Sequence, residues 1–157
     1  MYLGLDLGTS GLKGILIDGD QKVLAEATAP LTVSRPHEGW SEQAPADWIG
    51  AAEKVLAELS RFGLGQLRGI GLSGQMHGAT LLDASDDVLR PCILWNDGRS
   101  EAECAEMERD WPALRQVTGN IAMPGFTAPK LLWVRRHEPQ IFARTAKVLL
   151  PKAYLRW

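Results

Sequence analysis

Near the start of the chain the octet Asp6-Leu7-Gly8-Thr9-Ser10-Gly11-Leu12-Lys13 gathers a carboxylate, two hydroxyls, an ammonium and two glycines. Gly8 and Gly11 let a backbone turn tightly and approach an anion. Successive N–H groups and the hydroxyls of Thr9 and Ser10 can hydrogen-bond phosphate oxygens, while Lys13 adds a point charge. Asp6 can hold Mg²⁺ through water, because that ion gives up its hydration reluctantly. The plain alternative is a hairpin with turn residues and a surface salt bridge. Two later clusters suit a polyhydroxylated ligand. Ser73-Gly74-Gln75-Met76-His77-Gly78 follows an apolar run, and His77 can both donate and accept hydrogen bonds. Leu94-Trp95-Asn96-Asp97-Gly98-Arg99 brings together an aromatic face, a carboxylate and a guanidinium. Trp95 can pack on the C–H face of a sugar while Asp97 and Arg99 fix hydroxyls or each other. Against these stand a satisfied turn histidine and a core Trp beside a local Asp–Arg pair.

The elements that must position these residues follow from pattern. Tyr2 to Leu7, Leu12 to Ile17 and Val23 to Ala29 read as three strands joined by turns at Gly8–Gly11 and Asp18-Gly19-Asp20, an antiparallel meander. Pro30 to Pro45 reads as an irregular loop. Asp47, Trp48, Ile49, Ala52, Val55, Leu56 and Leu59 recur at helical spacing up to Gly63. Leu67 to Leu72 reads as a buried strand, and Ala79 to Leu82 with Val88 to Leu94 as a hairpin turned at Asp86-Asp87. Ser100 to Arg109 and Lys130 to Arg136 look helical, and Val148 to Leu150 looks like a strand followed by the opening of a helix. Strands first, then helices alternating with strands, give an α/β layered domain. Gly69-Ile70-Gly71-Leu72-Ser73-Gly74 matches GxGxxG, but its glycines begin inside a strand-like run and no helix pattern follows, so a dinucleotide fold is not the reading.

The 157 residues suffice for one domain with a substantial core, and 45% apolar with 23% charged residues is ordinary for a globular protein. A formal charge of −2 with scattered Lys and Arg lacks the basic face of a nucleic-acid binder. With no signal-like opening and no apolar run of membrane-spanning length, the expectation is a cytoplasmic protein. Cys92 and Cys104 read as free, partly buried thiols, and His37, His77 and His137 have no ligand-spaced neighbours for zinc.

Taken together, the segments resemble the N-terminal part of the FGGY family of carbohydrate kinases, in its xylulose kinase branch. The resemblance rests on Tyr2–Ser10, on Ser34-Arg35-Pro36 with Gly39-Trp40-Ser41-Glu42-Gln43, and on Gly74-Gln75-Met76-His77-Gly78. It also rests on Leu94–Arg99 and on Thr118-Gly119-Asn120 followed by Pro124-Gly125-Phe126-Thr127-Ala128-Pro129-Lys130. Glycerol kinases carry an Arg-Glu pair where this chain has Met76-His77, which favours the pentulose branch. The resemblance implies an α/β fold of the actin-like, ribonuclease H-like ATPase type, a mixed sheet opened by an antiparallel meander and flanked by helices, over residues 1–157. It implies that Asp6, Gly8, Thr9, Ser10 and Lys13 serve ATP and Mg²⁺, with Asp6 on the metal through water. Met76, His77, Trp95, Asp97 and Arg99 would line or support a D-xylulose pocket, and the reaction would carry a phosphoryl group to the sugar's 5-hydroxyl. Family members are longer, and their general-base aspartate and adenosine domain lie beyond residue 157. The expectation is therefore a chain incomplete at its C-terminal end and inactive as a kinase alone. The alternatives are a non-catalytic module of a truncated kinase, sugar-binding or dimerising, which a homodimer covering the apolar end near Trp157 would favour, and a regulatory actin-like ATPase sharing only the phosphate loop.

Overall fold

The computed structural model describes residues 1–157 as two compact units, each folded around its own elements. The first comprises Met1–Val33, Ala44–Gln75 and Pro151–Trp157. The meander forms as the alternation predicts: β1 (Tyr2–Leu7), β2 (Gly11–Ile17) and β3 (Val23–Pro30) pair antiparallel, with Asp6 opposite Lys13 and Leu7 opposite Leu12. Leu3, Leu5, Leu7, Leu12, Leu16, Ala27 and Ala29 are buried, as period-2 spacing on one sheet face requires. That face packs against α1 (Pro45–Leu59), whose Trp48, Ala51, Ala52, Val55 and Leu59 form its buried stripe. Pro45 opens the helix where its missing N–H costs nothing. Gly14 lets α1 come close, for a Cβ there would overlap the Val55 side chain.

The strand expected at Leu67 to Leu72 is β5 (Gly69–Gly74), parallel to β1, which makes the sheet mixed with order β3-β2-β1-β5. All three glycines of the GxGxxG match lie within it. Its expected burial does not hold: Ile70 is 59% exposed, and Gly71 and Ser73 are exposed too. As the edge strand it has a partner on one side only, and α6 (Pro151–Arg156) packs against part of it.

The second unit holds Ser34–Gln43 and Met76–Leu150. Within the segment expected to be irregular, β4 (Glu42–Gln43) pairs antiparallel with β7 (Cys92–Ile93). The expected hairpin is correspondingly reduced. The chain does turn at Asp83–Asp87, where Asp83 Oδ1 accepts from the Ser85 and Asp87 N–H groups, and the two arms meet at isolated antiparallel bridges, Leu82 with Val88 and Ala79 with Ile93, rather than along a continuous ladder. β6 (Thr80–Leu82) pairs instead with β8 (Lys147–Leu149). Around them run α2 (Glu101–Asp110), α3 (Leu114–Thr118), α4 (Thr127–His137) and α5 (Pro139–Arg144). Ala79, Leu81, Ile93, Trp133 and Val134 make this unit's core. No helix is long and apolar enough to cross a membrane.

Candidate functional site

In the first unit the octet forms the β1–β2 turn, closed by the Gly8 N–H donating to the Gly11 carbonyl at 3.0 Å. Asp6 and Ser10 are exposed and Thr9 is half-buried, its hydroxyl 3.3 Å from Gln75 Oε1. Lys13 pairs with Glu26 at 2.8 Å, both side chains about half exposed. A surface pair of that kind is worth little and yields readily to a more highly charged partner. One carboxylate, two hydroxyls and an ammonium around a tight turn fit a phosphate group. No cluster of three or more metal-ligating side chains occurs.

In the second unit Met76-His77-Gly78 makes a three-residue turn, with the Gly78 N–H donating to the Met76 carbonyl at 2.8 Å and His77 at φ 61°. Positive φ at a residue with a Cβ costs about 1–3 kcal/mol unless its surroundings hold it. Two donors from the first turn of α4 meet the His77 carbonyl: Thr127 Oγ1 at 3.1 Å and Lys130 Nζ at 3.0 Å. Met76 is 53% exposed and His77 half-buried, its ring 4.6 Å from that of Phe126. Partial burial, then the positive charge of Lys130, lowers the His77 pKa. The ring is therefore neutral at pH 7, with one donor and one acceptor for hydroxyl groups.

Trp95 is 43% exposed, on the segment that follows β7. Asp97 and Arg99 are different. The Asp97 carboxylate is buried and accepts from Ser41 N–H at 2.6 Å, Arg99 N–H at 3.0 Å, Arg99 Nε at 2.8 Å and Arg99 Nη2 at 2.7 Å. The enclosed Arg99 guanidinium also pairs with Glu42 at 2.7 Å and stacks over Trp40 at 3.7 Å from its ring centre. Arg90 bridges Glu42 at 2.5 Å and Glu138 at 3.1 Å. Neither Asp97 nor Arg99 is open to a sugar hydroxyl. The pair instead fastens the segment carrying Trp95 to the loop that holds Trp40 and Ser41. The local Asp–Arg pair that spacing alone leaves open is the arrangement found.

Lys130 was not singled out by residue type, yet it is 0% exposed. Its Nζ donates to the carbonyls of His77 and Gly125, the latter at 2.5 Å, and desolvation lowers its pKa to about 8. A Cβ on Gly125 would overlap the Trp95 carbonyl oxygen. One ammonium therefore ties together the backbones beside Met76-His77 and Trp95. The signal was in the spacing, because Lys130 lies three and four residues before the core residues Trp133 and Val134 and so shares their buried helix face. Cys92 and Cys104 are free and buried, pushed up to about 12 and about 11 chiefly by burial, so both thiols stay protonated and unreactive at neutral pH.

Known proteins resemble the chain along its whole length. The model of the FGGY family of carbohydrate kinases, N-terminal domain, matches residues 1–157. A xylulose kinase of Escherichia coli strain K12 is 57% identical over 157 residues, covering 99% of this chain and 32% of its own. Among solved structures, a xyloylose kinase from Brucella ovis superposes with a TM-score of 0.95 at 62% identity, covering 99% of this chain and 33% of that one. A xylulose kinase from Rhodospirillum rubrum does so with a TM-score of 0.91 at 37% identity, covering 98% and 33%. The chain thus spans about a third of the length of the relatives it matches. A mixed sheet opened by a meander and this likeness to sugar kinases give the actin-like ATPase fold that the motifs implied. With the model matched from the first residue to the last, the chain belongs to the FGGY family of carbohydrate kinases.

Proposed function

We propose that these residues are the N-terminal part of a cytoplasmic kinase that phosphorylates D-xylulose to D-xylulose 5-phosphate at the expense of ATP. The observation that carries this reading is the Met76-His77 turn, with His77 at positive φ, in a chain 57% identical to a xylulose kinase. A neutral His77 donates to one hydroxyl and accepts from another, Met76 gives an adaptable apolar contact, and Trp95 offers a face for C–H groups. Asp97 and Arg99 hold the Trp95 segment in place. Asp6, Gly8, Thr9, Ser10 and Lys13 would hold the phosphates of ATP with Mg²⁺. That pair supplies the phosphoryl group and neutralises its charge, and catalysis is then a matter of positioning and electrostatics.

Phosphoryl transfer also needs a base for the attacking hydroxyl. Asp97, the one carboxylate in the sugar-contact segments, is enclosed by Arg99 and Ser41 and cannot serve without breaking that network. The chain alone would therefore contact sugar without useful turnover, and in that restricted sense it would act as a sugar-binding module. Calorimetric titration of D-xylulose into the chain, with D-ribulose and glycerol as controls, tests the sugar assignment. Heat with D-xylulose alone supports it. Equal responses to the three, or to none in a chain that melts cooperatively, would remove these residues from substrate selection.

A further inference from the structure

A buried ammonium is costly, and an apolar side chain of the same length would fill the space of Lys130 without that cost. What an apolar residue cannot do is donate. The Lys130 donors end on two carbonyls: His77, at the centre of the positive-φ turn, and Gly125, which lies against the Trp95 carbonyl too tightly to carry a Cβ. Thr127, one helical turn earlier on the same face of α4, places a second donor on the same His77 oxygen. That oxygen thus takes two bonds from one rigid element, and the peptide plane that sets the direction of His77 is fixed from outside its own loop.

We propose that Lys130 and Thr127 are positioning residues, which hold the Met76-His77 turn and the Trp95 backbone in register so that their side chains are presented to substrate before it arrives. The proposal rests on the sugar-contact role given to Met76 and His77 above. Neither residue touches the substrate in this account. Their effect reaches it through a carbonyl, and preorganisation of that kind shows in substrate affinity more than in the chemical step.

The test uses the kinase whose N-terminal part these residues form, and compares Thr127→Val, which removes the hydroxyl at nearly constant volume, with Thr127→Ser, which restores it. Loss of one such bond should raise KM for D-xylulose about fivefold in Thr127→Val. The KM for ATP and kcat should stay within about twofold, and Thr127→Ser should behave as wild type. Lys130→Met should raise the same KM further. An unchanged KM in Thr127→Val, or equal rises in the Val and Ser variants, overturns the proposal. The ¹³Cα resonance of His77, assigned by comparison with His77→Asn, provides a readout independent of turnover. If wild type shows no D-xylulose-dependent turnover, the functional reading fails. The positioning role then stands if this signal moves in Thr127→Val but not in Thr127→Ser, and falls if it stays in place.

Discussion

Lys130 carries the sharpest consequence at the scale of single residues. Its pKa, lowered by burial to about 8 from an ordinary 10.5, means that the folded chain releases this proton before the unfolded chain does. Stability from this group is lowest below pH 8 and grows as pH rises towards 10.5, because over that window the unfolded state binds more protons. The titratable groups around it are Cys92, Asp97, Arg99 and His77. Cys92 works in the opposite sense. Raised to about 12 from 9.0, it stays neutral in the folded chain while the unfolded thiol ionises, so its contribution is lost as pH climbs above 9, and Cys104 follows it. Between pH 8 and pH 9 a gain of about 1 kcal/mol from Lys130 is mostly offset by the loss at the two thiols, which leaves a small net rise, and a decline follows above pH 9. Chemical denaturation at pH 7, 8, 9 and 10 checks this, and Lys130→Met should abolish the rise while keeping the fall. The same residue shows where reading by type gives out. Asp97, Arg99, Met76, His77 and Trp95 stand out as polar or aromatic groups in strand-end motifs, whereas a lysine inside a helical run reads as surface until its register against Trp133 and Val134 is counted.

Elements were legible where one period dominated. Leu3, Leu5 and Leu7 against Leu12 and Leu16 specify the meander, and the Trp48–Leu59 stripe specifies α1, because each pattern buries one face within a short stretch of chain. The two-residue strands β4 and β7 were not legible. Their pairing joins residues 42–43 to 92–93, beside the buried ion pairs of Glu42 with Arg90 and Arg99, and no local period records contacts so distant in sequence. The short helices α3 and α5 lack a buried stripe, so nothing in their sequence sets them apart from loop. β5 misled for another reason, since Leu, Ile and Gly read as core although the strand stands at the sheet edge. Packing is tight where α1 crosses β2 at Gly14. Gly14→Val, which suits a strand by propensity, should nevertheless destabilise the chain by about 3 kcal/mol through overpacking against Val55 and Leu59. Urea titration measures this, and a change under 1 kcal/mol would mean that α1 can shift without cost.

At the scale of the whole molecule, the chain divides its resources between two units. One is built on a meander whose turn offers hydroxyls, a carboxylate and an ammonium, and the other on a buried charge network that holds two side-chain clusters open to solvent. The family is carried by the full match of 157 residues, while the proposed substrate rests on Met76, His77 and Trp95 acting in a kinase of the relatives' length, about three times that of these residues. ATP-dependent ADP release by that kinase, measured with D-xylulose, D-ribulose and glycerol in turn, tests it most directly. The account predicts that kcat/KM is highest for D-xylulose, by about tenfold or more, that His77→Ala raises KM for that sugar, and that residues 1–157 alone give no turnover above a blank. A preference for D-ribulose or glycerol, or an unaltered D-xylulose KM in His77→Ala, would contradict it.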